Sequence, residues 1–551
     1  MTTPEVAELL DRARAWAAED PDEVTRAELE AIVGDVEGGG DSADLADRFD
    51  GTLEFGTAGL RGALGAGPNR MNRIVVTRAA AGLAAYLVDE GATRGASVVI
   101  GYDARHNSDV FARDTAEVMA GAGLRALVLP RPLPTPILAF AIRELGCVAG
   151  VMVTASHNPP QDNGYKVYLG DGSQIVPPAD TEIADQIAAV GALADVPRAD
   201  PGELLGEDVV NRYHDSVAGL AGDGPRDLTV VYTPLHGVGG SSVTQVLETA
   251  GFGPPYVVTR QEEPDPDFPT VSFPNPEEPG AMDLAMALAE EKHADLVVAN
   301  DPDGDRCAAA VPGPHGWRML RGDEVGALLA QHLLRSGKQG IYATSIVSSS
   351  LLGRMAKAAG QPYAETLTGF KWLGRIEGLA FGYEEALGYC VDPEHVRDKD
   401  GVSALLMLCE LAAATKAEGR TLTDLLDDIA VEHGLHATDQ VSVRVSDLAD
   451  IGRAMEQLRG KPPDRLGGLA VEQVEDLTEG SEDLPPTDSL RYRLADGARV
   501  IVRPSGTEPK IKAYLEVVVP VNPQDGVDAA RISAAGRLDA LGNDIRRAAG
   551  I

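Results

Sequence analysis

Short runs of buried-type residues alternate along this chain with longer stretches rich in Ala and Leu. The runs SVVIGYD (97–103), LTVVYTP (228–234) and DLVVAND (295–301) are rich in Val and Ile, lack strict apolar–polar alternation, and end in polar or Gly-containing loops. A strand covered by helices on both faces has this composition, because neither side of its pleat meets water. Helical periodicity over 108–121, 240–251 and 280–292 flanks these runs. The alternation predicts α/β units with parallel sheets and right-handed crossovers, whose functional loops sit at the carboxyl ends of strands. The pattern changes from about residue 437. ATDQVSVRV and VIVRPSGTEPKIKAYLEVVV alternate apolar and polar positions, as strands with one wet face do, and predict a smaller α+β C-terminal domain.

Boundaries follow from the polar segments. The N-terminal stretch MTTPEVAELLDRARAWAAEDPDE reads as an amphipathic helix, followed by a polar, Gly-rich connection over 37–51. A polar stretch lies at 200–207, and a new helix begins near 322. The Pro- and acid-rich run 262–280 is expected to be an ordered loop, because Pro fixes the backbone without making helix. These features divide the chain into 1–205, 206–321, 322–436 and 437–551. The expected fold is α/β: three related α/β domains and a smaller α+β domain. No repeat of fixed period is visible to prove that the three are related.

Composition restricts the partners. The 551 residues suit about four domains at ~150 residues each. The net charge is 48 − 85 = −37, so most of the surface repels nucleic acid and anionic membranes. An anionic substrate then needs a local cluster of Arg, Lys or metal. The four cysteines, Cys147, Cys307, Cys390 and Cys409, form no CxxC pair, which argues against a disulfide framework or a structural zinc. The acidic N-terminus lacks the features of a signal peptide, and Arg78 and Glu410 interrupt the best apolar stretches, so a cytoplasmic protein with no membrane partner is expected.

Five segments carry candidate chemistry. V-T-A-S-H-N-P-P (153–160) follows the apolar run CVAGVMV and offers Ser156 as a nucleophile, with His157 and Lys166 as cationic neighbours. It is no hydrolase elbow, since the chain has no G-x-S-x-G. N-D-P-D-G-D-R (300–306) puts Asp301, Asp303 and Asp305 at alternate positions around Gly304, where they can converge on one hard cation such as Mg²⁺ or Mn²⁺. An EF-hand loop also opens with D-x-D-G-D, but its twelfth position must be a bidentate Glu and here is Pro312. G-Y-E-E-A-L-G-Y (382–389) offers Glu384 to sugar hydroxyls, and R-D-K-D-G (397–401) offers Lys399 to a phosphate or for proton transfer. R-P-S-G-T-E-P-K (503–510) combines the Arg503 fork, the Ser505 and Thr507 hydroxyls and the bare backbone of Gly506 into a phosphate cradle. F-G-T-A-G-L-R-G (55–62) adds Thr57 and Arg61 in a Gly-rich loop. Read singly, each segment also has the composition of a turn or a solvated charged loop.

Read in order, the segments resemble the α-D-phosphohexomutase superfamily: T-A-S-H-N-P, D-G-D-R, G-x-E-E, then R-P-S-G-T, over residues 52 to about 515. The resemblance implies four domains around a central active-site cleft. It implies that Ser156 is the phosphoserine and completes the metal site with Asp301, Asp303 and Asp305. Thr57, Arg61, His157 and Lys166 would line the phosphoryl-transfer side, with Arg306 facing the substrate. Thr368 and Gly369, in TLTGFK, match the loop that senses which end of the sugar is bound. Glu384 and Lys399 would contact sugar and phosphate, and Arg503, Ser505, Gly506 and Thr507 would hold the non-reacting phosphate. The implied reaction interconverts 1-phospho and 6-phospho hexoses, of glucose or mannose, with one Mg²⁺ per site and a sugar bisphosphate as activator.

The sugar loop departs from the family pattern. Many hexose-specific members read G-E-x-S-G there; this chain has Ala386 in place of the Ser, and Tyr389 where some members carry a nearby His. A lost hydroxyl contact alters sugar recognition. This form, with the N-terminal extension, resembles the branch that also holds phosphopentomutases, so ribose or deoxyribose phosphates are the alternative substrates. A phosphatase using water as acceptor and a non-catalytic sugar-phosphate binder are further alternatives. The general base is open among Lys399, His157 and Lys166.

Overall fold

The computed structural model describes residues 3–445, 448–505, 510–522 and 524–550. The chain forms two compact units, Met1–Met319 with Asp392–Glu410, and Leu320–Val391 with Leu411–Ile551.

The first unit opens with helices Thr3–Glu19 and Glu23–Glu37. Asp20 is buried between them and accepts the Thr25 hydroxyl at 2.7 Å and the Asp22 amide at 3.0 Å. Asp22 caps the second helix through the Val24 amide, satisfying a donor that has no intrahelical partner. The segment 37–51, read as a polar, Gly-rich connection, contains a third helix, Ala43–Arg48. Leu45 and Phe49 drive it: both are buried in a small apolar core with Leu9, Ala13, Leu29 and Val33.

Two sheets follow. The first runs Leu60–Ala63, Asp162–Leu169, Ala149–Val153, Ser97–Tyr102, Arg125–Val128, Glu203–Leu204. Its last four strands are parallel, while Asp162–Leu169 returns antiparallel to Ala149–Val153. The polar stretch near 200–207 thus supplies an edge strand. The second sheet runs Gly316–Met319, Ala308–Gly313, Leu296–Ala299, Val230–Thr233, Tyr256–Val257, again with a parallel centre and an antiparallel return after Leu296–Ala299. Predicted helices appear as Ser108–Gly121, Gly240–Thr249 and Asp283–Lys292. The run 262–280 carries neither helix nor strand.

In the second unit, a four-stranded sheet runs Tyr363–Thr366, Ile341–Ser345, Leu379–Glu384, Gly388–Cys390, parallel except for the final return. The three α/β sheets therefore share one device. The last parallel strand ends in a loop and the chain comes back antiparallel: 154–161, 300–307 and 385–387 are these loops. The remaining sheet is wholly antiparallel, in the order Leu435–Arg444, Lys510–Val519, Arg499–Pro504, Leu490–Leu494, Leu469–Asp476, Arg465–Leu466. Ile346, Val347 and Leu367 pack against Leu477, Leu484, Ile501 and Tyr514, joining these two sheets. Beside that core, buried Arg499 donates to Glu516 at 2.5 Å and to the carbonyls of Ile346 and Ser348. Burial alone would raise the Glu516 carboxyl, but Arg499 holds it well below the usual carboxylate range. No helix among the described residues is long and apolar enough to cross a membrane.

Candidate active site

The strand Ala149–Val153 is buried along its whole length and delivers the chain to Ser156. Pro159 and Pro160 prevent a helix there, and the Asn158 amide closes a turn on the Ala155 carbonyl at 3.0 Å. Ser156 adopts φ +51°, a left-handed conformation that L side chains resist by roughly 1–3 kcal/mol. The Thr154 hydroxyl accepts the Ser156 amide at 2.9 Å. Thus presented, Ser156 Oγ donates to Asp301 Oδ2 at 2.9 Å. His157 Nδ1 lies 3.5 Å from the same Oγ and 4.0 Å from that carboxylate.

The metal-type loop leaves the buried strand Leu296–Ala299. Asn300 anchors its base, donating to the Arg306 carbonyl at 2.5 Å and accepting the Tyr232 hydroxyl at 2.9 Å. Gly304, at φ +67°, makes the turn that a side chain would strain. The turn brings one oxygen from each of Asp301, Asp303 and Asp305 within 4.8 Å of the others, and all three residues are fully buried. Asp303 Oδ2 accepts Thr135 Oγ1 at 2.7 Å and Lys166 Nζ at 2.7 Å. Asp305 Oδ2 lies 3.0 Å from Lys166 Nζ and 3.2 Å from Lys399 Nζ. Arg306 Nε stands 3.8 Å from both Asp301 and Asp305. The opposite oxygens, Oδ1 of Asp303 and of Asp305, are buried and accept no hydrogen bond among the described residues. A buried carboxylate oxygen left this way is destabilising unless something binds it. Three hard oxygen donors, two of them so left, fit a divalent cation.

Electrostatics agree. Burial, then the neighbouring Asp303 and Asp305, push the Asp301 carboxyl well above its ordinary range. Burial pushes Asp303 up as well, but Lys166 overrides it and holds the carboxyl below the ordinary range. Burial opposes the charge of Lys166, yet Asp303 and Asp305 raise it above its ordinary value, so Lys166 is a cation. Burial, reinforced by Arg306 and Arg61, lowers His157 well below the ordinary imidazole value, leaving it neutral at pH 7.

Arg61 lies on the strand Leu60–Ala63 and reaches Asn158 Oδ1 at 3.4 Å. Thr57 sits in the turn between the bridged Gly56 and Gly59. Gly59 has φ +73°, and a Cβ there would meet the Tyr165 carbonyl at 1.8 Å, so only glycine lets this loop lie against the strand bearing Lys166. Lys399, grouped by sequence with the sugar loop, is instead built into the first unit, on Asp305 and Asp398. Sequence reading missed three supports: Thr135 on Asp303, Asp398 beside Lys399, and Arg105, which grips the Ser156 loop. Asp398 stands inside the singled-out segment R-D-K-D-G and Arg105 in the D-A-R after the strand SVVIGY, while Thr135 lies in no such segment.

The second unit holds the sugar-type and phosphate-type loops. Glu384 ends the strand Leu379–Glu384 and accepts the Gly369 amide at 2.6 Å, which ties the 368–369 loop to it. Glu385 accepts Ser348 Oγ at 3.0 Å and Ser345 Oγ at 3.3 Å. Burial, then Glu385, raise the Tyr514 hydroxyl, with Arg503 hydrogen-bonding it in opposition, so Arg503, Tyr514 and the glutamate pair gather in one place. The Ser505 amide closes on the Lys510 carbonyl at 2.8 Å. Gly506 and Thr507 lie outside the described residues. Tyr389, considered beside the sugar loop, is a core residue: it is fully buried, stacks on Tyr383 and donates to the Gly322 carbonyl at 3.0 Å.

Glu385 gives a pH prediction. Burial, then Glu384 and Asp323, raise it from 4.5 to about 7. Between these values the folded chain keeps a proton that the unfolded chain has released, so stability falls as pH rises through that window. Glu385→Gln is expected to remove this slope, changing the gap to wild type between pH 5 and pH 8 by on the order of 1–2 kcal/mol, discounted for the side chain's residual exposure. Thermal melts at both pH values check it; parallel melts of the two proteins would refute it.

Four family models match the chain: phosphoglucomutase/phosphomannomutase α/β/α domain I over residues 52–193, domain II over 211–314, domain III over 321–432 and the C-terminal domain over 441–521. A Haemophilus influenzae protein named "Probable phosphomannomutase" is 50% identical over 473 residues, covering 84% of this chain and 96% of its own. A Schizosaccharomyces pombe protein named "Probable phosphoribomutase" is 37% identical over 561 residues, covering 93% and 94%. The crystal structure of a "putative phosphomannomutase" from Thermus thermophilus aligns with TM-score 0.71 at 26% identity, covering 90% of this chain and 98% of that one.

Proposed function

Because the chain belongs to the phosphoglucomutase/phosphomannomutase family, we propose that it interconverts 1-phospho and 6-phospho hexoses, glucose or mannose, through phosphorylated Ser156 and a sugar bisphosphate intermediate. One observation carries the reading: Ser156 Oγ lies 2.9 Å from Asp301 within a buried carboxylate triad that has two unsatisfied oxygens. The identity of 50% to a named phosphomannomutase, against 37% to a named phosphoribomutase, favours a hexose. Pentose phosphates remain the second reading, supported by Ala386 in the sugar loop.

Asp301, Asp303 and Asp305 hold one Mg²⁺, which when bound supplies Lewis-acid polarisation of a phosphoryl oxygen. Phosphoryl transfer depends on alignment and charge neutralisation more than on covalent help. Ser156 carries the phosphoryl group, whose charge is about −1.5 to −2 at neutral pH. Lys166 and Lys399 offset the carboxylates around it, and Thr57, Arg61 and Arg306 bind phosphoryl oxygens. His157, neutral and 3.5 Å from Oγ, accepts or returns a proton there. Glu384 binds sugar hydroxyls, Thr368 and Gly369 sense the bound end, and Arg503 and Ser505, with Gly506 and Thr507, hold the idle phosphate. A sugar bisphosphate primes the enzyme. The four-part division at 205/206, 321/322 and 436/437 belongs to the same proposal, each part bringing one loop. The buried, unbridged cysteines suit the cytoplasm.

The test is turnover of glucose 1-phosphate, mannose 1-phosphate and ribose 1-phosphate side by side, with Mg²⁺ and matching bisphosphate. Hexose turnover that chelation abolishes and Mg²⁺ restores is expected. Preference for ribose 1-phosphate would overturn the hexose assignment, and steady release of free phosphate without isomerisation would replace the mutase by a phosphatase.

A further inference from the structure

Arg105 stands outside the catalytic segments, yet its side chain is only 1% exposed and all of it is spent on one task. Nη2 donates to the carbonyls of Ser156 and Asn158, each at 2.6 Å. Nη1 donates to the carbonyls of Pro159 at 2.9 Å and Asp162 at 3.2 Å. One guanidinium thus gathers four carbonyls of the nucleophile loop. A flat, rigid fork of donors can do this; an ammonium on a flexible stem cannot hold four acceptors in one plane. Asp103 braces the fork from behind, 3.4 Å from Nε, and is itself fixed by the Ser108 hydroxyl at 2.6 Å and the Arg105 amide at 3.0 Å.

The face of the guanidinium is covered by Phe268, whose ring centroid lies 4.9 Å from the Arg105 carbon. Phe268 comes from the Pro- and acid-rich run 262–280, for which the proposed reaction has no other use. It is 2% exposed and adopts φ +45°, a conformation that a Phe holds only when its surroundings impose it. The same run is fastened beside it by Asp267, which lies 2.8 Å from His106 Nε2. The loop between strand and helix of the second sheet therefore reaches the back of the Ser156 loop in the first.

We infer that Arg105, backed by Phe268, is a positioning residue for phosphoryl transfer: it holds the Ser156 backbone in its left-handed conformation and so aims Oγ at the Asp301 carboxylate. Both side chains are buried and act through the loop backbone. Misplacement of the nucleophile by an ångström is enough to lose about 10²-fold in rate. The inference rests on the proposed mutase reaction only for its kinetic consequence; the backbone restraint is measurable without turnover.

The test compares Arg105→Lys, Phe268→Ala and Phe268→Tyr with wild type by hydrogen exchange and steady-state kinetics. In Arg105→Lys, the amides of 154–163 are expected to exchange faster while the rest of the chain keeps its protection. With a hexose 1-phosphate, kcat is expected to fall about 10²-fold with KM within about threefold, the split that misplacement predicts. Phe268→Ala should show the same pattern more weakly, and Phe268→Tyr, which keeps the ring face, should restore both readouts. If Arg105→Lys does not fold, the Phe268 pair decides alone. Unchanged exchange over 154–163 in Phe268→Ala, or a loss in Phe268→Tyr equal to that in Phe268→Ala, overturns the inference. So does a loss confined to KM. A wild type that turns over no sugar phosphate removes the mutase reading instead, while the exchange result still stands or falls by itself.

Discussion

Ser156→Ala is expected to abolish turnover, by at least ~10⁴-fold, while the protein stays folded. In the proposed reaction this hydroxyl carries the phosphoryl, and no other hydroxyl among the described residues donates to the Asp301 carboxylate. The structural effect is small by comparison. Alanine keeps the left-handed strain that serine already bears, and the lost hydrogen bond is worth about 1 kcal/mol. Turnover with saturating bisphosphate, and the mass of the protein after incubation with it, check the result. Wild type should gain one phosphoryl group and the variant none. A variant that still isomerises would remove Ser156 from the reaction.

The second large effect is expected at the carboxylate triad. Asp303→Asn keeps the shape of the side chain and removes its charge. Asp303 is the member held most firmly, by Thr135 at 2.7 Å and Lys166 at 2.7 Å, and its Oδ1 is one of the two buried oxygens with no hydrogen bond. An amide is a poorer ligand for a hard cation and leaves Lys166 with Asp305 alone. In the proposed reaction a bound cation would contribute several kcal/mol of transition-state stabilisation, so loss of about 10³-fold in kcat is expected, with Mg²⁺ needed at higher concentration. A Mg²⁺ titration of activity and a direct binding isotherm check it. Equal affinity for Mg²⁺ in variant and wild type would mean that the cation sits elsewhere.

Much of this chain was legible in its sequence. Continuous Val- and Ile-rich runs marked the buried strands, because a strand covered on both faces has no place for a polar residue. The turn residues Pro302, Gly304, Pro159 and Pro160 marked the loops that follow, because proline fixes φ and glycine permits conformations closed to other residues, wherever they stand. A triad of aspartates at alternate positions is a local pattern, and so is a serine in T-A-S-H-N-P; neither needs a distant partner to be noticed. The polar, Gly-rich connection at 37–51 holds the helix Ala43–Arg48 because Leu45 and Phe49 find a core shared with Leu9, Ala13, Leu29 and Val33 of the two preceding helices.

The sequence alone set out the candidate groups: a hydroxyl nucleophile, a carboxylate triad suited to a hard cation, and cations for phosphate. Only the tertiary structure decided what those groups do to one another. Ser156 meets Asp301 across 145 residues, Thr135 meets Asp303 across 168, and Lys166 meets Asp303 across 137. Lys399 was read beside the sugar loop and belongs on Asp305, and Arg105 drew no notice because one arginine in a polar loop is ordinary until the four carbonyls it gathers are brought to it. Backbone propensity and apolar patterning act over a few residues and so can be read along the chain. Hydrogen bonds and ion pairs act over about 3 Å in space, at any separation in sequence, and exist only once the strands have been laid side by side.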